Sequence, residues 1–62
     1  MTDMEALQYL WEYETKGRNP AAFEEMFTLE RAGLVVCLHA GWGHYQVTLT
    51  AEGKKMLARI AQ

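Results

Sequence analysis

Cys37, His39 and His44 are the side chains of this chain whose types and spacing come nearest to chemistry. Cysteine and histidine ligate zinc in tetrahedral sites, and three of them stand here within eight residues. A hairpin setting His39 opposite His44, with Cys37 two residues along the same face, would bring three ligands together. A structural zinc site takes four, and the sequence offers no obvious fourth. The plainer reading is two polar strand residues beside a small buried thiol. Unperturbed imidazoles titrate near pH ~6.5, so the pair would also make a pH-sensitive surface. Catalytic constellations are missing: there is no supported Ser/His/Asp order, no glycine-rich phosphate loop and no paired carboxylates expected in a pocket. Sixty-two residues also leave little material for a substrate pocket. We expect no enzymatic activity, no cofactor and no small-molecule substrate.

Recognition chemistry is better represented. Trp42 lies between Gly41 and Gly43 in "LVVCLHAGWGHYQVTLT" (34–50), a stretch without Lys, Arg, Asp or Glu. Tryptophan is enriched among interface hot spots, where truncation costs about 2 kcal/mol or more. The alternative is a ring folded back over a helix to extend a small core. Lys54, Lys55 and Arg59 form the one basic cluster; they either touch phosphate or an acidic partner, or make a solvated helix face. Tyr9, Trp11, Tyr13, Phe23 and Phe27 recur at helical spacing and read as core. Residues 1–30 carry seven carboxylates against Lys16 and Arg18, while residues 31–62 carry Glu52 against Arg31, Lys54, Lys55 and Arg59. A first half at −5 and a second at +3 lack the clustered basic face of a nucleic-acid binder.

A very small domain must position these groups. A chain this short buries only about 60% of the surface it exposes when unfolded, so metal, idealised packing or self-association has to help. Cys37 is the sole cysteine, which excludes an internal disulfide and suits a reducing compartment. The start "MTDMEALQYL" is acidic where a signal peptide is basic, and no long apolar span follows. We expect a cytoplasmic protein with no membrane partner.

Thr2 and Glu5 have capping-box spacing, and Met4, Leu7, Leu10 and Trp11 follow at helical intervals up to Gly17, predicting a helix over 3–16. Asn19-Pro20 reads as a helix restart, and Gly33 as its stop, with Leu34 packing back on Leu29; the second helix is predicted at 20–32. Ala40–Gly43 then joins strands 34–39 and 44–49 as a four-residue loop. That register gathers Leu34, Val36, Leu38, Tyr45, Val47 and Leu49 on one face. It leaves Val35, Cys37, His39, His44, Gln46 and Thr48 on the other. Thr50 caps a last helix at 51–61, with Met56, Leu57 and Ile60 apolar. The hairpin lacks the charges that discourage edge pairing, so its edges are either covered or pair with another chain.

"LERAGLVV" (29–36) followed by "VTLTAEGKKML" (47–57) resembles the back half of a winged-helix domain of the MarR-like kind. The resemblance covers about residues 29–57 and implies a helix–hairpin–helix junction with the hairpin as wing. It also implies DNA binding, with helix 20–32 standing where the recognition helix stands. That helix offers Glu24, Glu25 and Glu30 to phosphate, and the hairpin offers no Lys or Arg.

The expected fold is therefore a single small α+β, winged-helix-like domain in the order helix–helix–β-hairpin–helix. Its expected role is a non-enzymatic protein-interaction module: a homodimer, or an inhibitor or adaptor of the compact kind found in phages and mobile elements. Contact would run through Trp42, His39, His44, Val35 and Cys37. The alternative is a winged-helix regulator of duplex DNA, with Lys54, Lys55, Arg59 and Arg31 on phosphates and Thr28 near the bases.

Overall fold

The first helix begins where a threonine and a glutamate trade hydrogen bonds. Glu5 N–H donates to Thr2 Oγ1, and Thr2 N–H donates to Glu5 Oε1, both at 3.2 Å. This closes the predicted capping box and holds the Glu5 carboxyl below its ordinary range through the Thr2 backbone bond. The structure is a computed structural model and describes residues 2–60. Helix α1 (Asp3–Thr15) buries Ala6, Leu7 and Leu10, while Met4 stays half exposed. Its end is a Schellman turn: Gly17 N–H donates to Glu14 C=O at 3.1 Å and Arg18 N–H to Tyr13 C=O at 2.9 Å.

The second helix departs from expectation. Helix α2 spans Glu24–Arg31, with Phe23 as an extended N-cap and no side-chain cap. Residues 20–22, predicted as its first turn, run instead beside the hairpin. Tyr45 N–H donates to Pro20 C=O at 3.0 Å, and Ala22 N–H donates to Gly43 C=O at 2.9 Å. Pro20 is buried and Ala21 bridges His44. Two sheet-type hydrogen bonds on an open strand edge outweigh the local restart signal of Asn19-Pro20. Helix α2 ends as predicted, with Gly33 N–H donating to Glu30 C=O at 3.0 Å and Leu34 N–H to Leu29 C=O at 3.0 Å.

Strands β1 (Val35–Gly41) and β2 (His44–Leu49) form one antiparallel pair. Their register corrects the predicted one. Val35 faces Leu49, Cys37 faces Val47 and His39 faces Tyr45, whereas Gly41 faces His44 across an irregularity between His39 and Gly41. The loop is thus two residues, Trp42 and Gly43, with Ala40 as a bulge. The predicted four-residue loop placed β1 one step away, and one step turns every side chain of a strand over. Val35 and Cys37 therefore face the core with Val47 and Leu49, and Val36 and Leu38 face outward.

Helix α3 (Ala51–Ile60) is launched by Thr50; residue 61 of the predicted helix lies outside the described residues. Thr50 Oγ1 donates to Gly33 C=O at 2.7 Å and accepts from Gly53 N–H at 3.1 Å, joining the end of α2 to the start of α3. Gly53 is buried against the Leu34 backbone: a Cβ there would lie 3.0 Å from Leu34 C and closer still to its carbonyl oxygen. This contact gives the glycine of "LTAEG" its physical reason. The core joins Leu7 and Leu10 of α1, Met26 and Leu29 of α2, and Val35, Val47 and Leu49 of the hairpin. The α+β order helix–helix–hairpin–helix is the expected one. Among the described residues no helix is long and apolar enough to cross a membrane.

Candidate interaction surface

Trp42 occupies a backbone conformation that tryptophan rarely adopts. Its φ is 55° and that of Gly43 is 75°, the positive pair that two-residue hairpin loops of type I′ require and that Asn, Asp and Gly normally supply. For a residue with a Cβ this conformation costs about 1–2 kcal/mol. The indole recovers none of it inside its own subunit, because Trp42 is 98% exposed. His44 Nδ1 lies 3.0 Å from Trp42 C=O; a carbonyl only accepts, so the imidazole donates and steadies the turn.

Behind the tip runs an apolar strip. Val36 and Leu38 are 45% and 59% exposed on the outer face of β1, beside Gln46 and Thr48 of β2 across the ladder. Sequence reasoning assigned Val36 and Leu38 to the core and missed them as surface. The available signal was Gly41-Trp42-Gly43 read as a two-residue turn. The ladder continues one step below the strand, where Thr50 N–H donates to Leu34 C=O at 3.0 Å. Leu34 itself lies in the bend before the strand and packs against the core.

Leu34 is also a wall of a second feature, an open apolar groove of about 250 Å³ where α1, α2 and α3 meet. Met4, Leu7, Leu29, Ala32 and Met56 complete its apolar lining, and Asp3 and Thr28 are its two polar residues.

The other predicted contact residues are dispersed. Val35 is 2% exposed. Cys37 is half-buried against the core, where burial, reinforced by Glu30, pushes its thiol up to about 11. Such a thiol is neutral and unreactive near neutral pH. His39 packs edge-on against Tyr45, with ring centroids 5.4 Å apart, while His44 neighbours Gly41 and Trp42. The two histidines are thus not cross-strand partners. Cys37 and His39 alternate onto one face and His44 onto the other, and no cluster of three potential ligands forms among the described residues. The β2 edge is covered: Leu49 N–H donates to Glu14 Oε1 at 2.9 Å and residues 20–22 line the strand, while on the β1 edge Cys37 N–H donates to Glu30 Oε2 at 3.2 Å.

The candidate nucleic-acid residues differ in availability. Thr28 is half-buried, and its hydroxyl donates to Glu24 C=O at 3.3 Å. Lys54, Lys55, Arg59 and Arg31 are exposed, but Lys55 Nζ lies 3.6 Å from Glu52. Tyr9, Trp11 and Phe23 pack on the core as expected, with the Tyr9 hydroxyl 3.1 Å from that of Tyr13. No protein-family model matches the chain, and neither a curated protein nor a solved structure does.

Proposed function

We propose that this protein is a non-enzymatic binding module that recognises a protein surface through Trp42 and the outer hairpin residues Val36 and Leu38. One observation carries the reading: a strained, 98% exposed tryptophan at a turn where asparagine or glycine serves the fold better. Backbone strain held without an internal return is a mark of functional positions. An outer face free of charge supplies the apolar contact around it, and large exposed apolar groups of this kind mark interaction sites. The covered β2 edge disfavours strand addition there and favours contact by the face.

Cross-linking of the intact protein, wild type against Trp42→Asn, tests the proposal. Adducts with itself or with a partner protein should form with wild type and disappear with the variant. Equal adducts from both would refute it. Duplex DNA binding that weakens steeply with salt and survives Trp42→Asn would replace it with the regulator reading. Glu24, Glu25 and Glu30 on α2, which repel phosphate, disfavour that reading.

A further inference from the structure

Phe27 is a large aromatic ring that the core does not use. Its helical spacing predicts a core residue, yet it is half-buried on α2 and stands outside the core cluster. Its ring meets Tyr45 of β2 edge-on, with centroids 5.4 Å apart and planes at 89°. Tyr45 meets His39 of β1 in the same way, at 5.4 Å and 85°. The rings thus form one row from α2 across the hairpin.

A carboxylate closes this row into a single surface. Glu30 lies one turn after Phe27 on α2, so the two share a helix face. Glu30 Oε2 accepts from Cys37 N–H at 3.2 Å, and Cys37 stands two residues before His39 on the same face of β1. Phe27, Tyr45, His39, Cys37 and Glu30 are therefore a closed circuit of neighbours. Glu30 and His39 are exposed, and Phe27 and Tyr45 half-buried, so solvent reaches the carboxylate and the rings.

The chemistry gathered here suits a cation. Aromatic faces attract one, and an ionised carboxylate accepts its N–H bonds strongly. A carboxylate offers about four lone-pair sites, of which the Cys37 bond takes one. Helix α2 carries Glu24, Glu25 and Glu30 against Arg31 alone, and no Lys or Arg occurs from Ala32 to Gly53. Among the described residues the ion pair formed is Lys55–Glu52, so Glu30 has no cation from its own chain.

We infer that Phe27, Tyr45, His39 and Glu30 form a second recognition surface, which takes an arginine side chain of a partner protein between the rings and the Glu30 carboxylate. Arginine fits better than lysine, because a planar guanidinium stacks on aromatic faces and pairs with a carboxylate through two parallel N–H bonds. This surface lies on the core side of the hairpin's rim, whereas Val36 and Leu38 face outward. The inference therefore goes beyond the Trp42 reading and does not depend on it.

Titration of the purified full chain with a tetra-arginine peptide tests this, followed by nuclear magnetic resonance of the Phe27 and Tyr45 rings. Tetra-citrulline, planar but uncharged, is the control. The pH is held at ~8, where an ordinary imidazole is neutral, and salt at ~0.1 M, which screens distant charges. Tetra-arginine should bind saturably and shift both rings, and tetra-citrulline should not. Glu30→Gln, whose amide oxygen still accepts from Cys37 N–H, should weaken binding about fivefold. Phe27→Leu should weaken it about two- to fivefold, with circular dichroism confirming the fold of both variants. Glu12→Gln removes the same charge from α1, which contributes no residue to this surface, and should weaken binding less than about twofold. Absence of saturable binding, equal binding of tetra-citrulline, or equal losses in Glu12→Gln and Glu30→Gln overturns the inference. Trp42→Asn should bind tetra-arginine as wild type does. Failure here with Trp42-dependent cross-links intact strikes this surface alone, and the converse result strikes only the Trp42 reading.

Discussion

Trp42→Asn separates what the turn needs from what the protein does with it. The residue sits at φ 55° with 98% of its surface in water, so replacement removes almost no internal contact. Asparagine tolerates the left-handed region and is favoured at this loop position. Relief of the strain should stabilise the monomer by about 1 kcal/mol, a rise in Tm of about 4–8 °C for a domain of this size. Thermal melts followed by far-ultraviolet circular dichroism at low micromolar concentration read this monomer effect. A concentration series asks whether the surface that Trp42 meets is a second copy. Wild-type Tm then climbs with concentration as the folded state is drawn into association, while the variant's stays flat, and at sufficient concentration the two curves cross. If Trp42→Asn lowers Tm even at high dilution, the indole supports its own fold, and its exposure and strain argue for nothing else.

Three further substitutions or titrations address the frame. Gly53→Ala should cost at least about 2 kcal/mol in urea denaturation, because the new methyl group meets the Leu34 backbone and α3 must shift; a neutral result would deny that approach. Val35→Ala should cost about 2 kcal/mol and Val36→Ala less than about 0.5 kcal/mol, since Val35 is buried and Val36 faces outward; equal costs would restore the four-residue-loop register. Cys37 should resist alkylation near pH 8. The raised thiol pKa favours the folded state fully below the unfolded thiol's pKa, about 9, and that contribution should fade as pH rises to about 11. Fast labelling by iodoacetamide in the folded protein would show that the thiol is not held back by burial.

Much of the frame was legible because it is written in short-range chemistry. The Thr2–Glu5 box, the Schellman ends at Gly17 and Gly33 and the Thr50 cap each depend on residues within a few positions of one another. The parts that were not legible depend on distant partners. Asn19-Pro20 is a sound helix start locally, and only the presence of β2 alongside turns residues 20–22 into an edge strip. The bulge at Ala40 is one residue of slack that no composition betrays, yet it reversed the assignment of Val35, Val36, Cys37 and Leu38. The groove was invisible for the same reason, since its walls come from three helices and a bend.

The misreadings concentrate on the hairpin, and that distribution bears on function. A sequence shaped for folding alone would place asparagine and glycine at a two-residue loop and charged residues on a solvated outer face. This hairpin carries tryptophan at the loop and valine and leucine on the face. Elsewhere, local propensity and tertiary structure mostly agree; here they conflict at the turn and on the same outer strip, and the conflict costs the monomer stability it can scarcely spare. A marginal domain retains such a conflict when the compensating free energy arrives from outside the monomer, through whatever the indole and the outer strip bury.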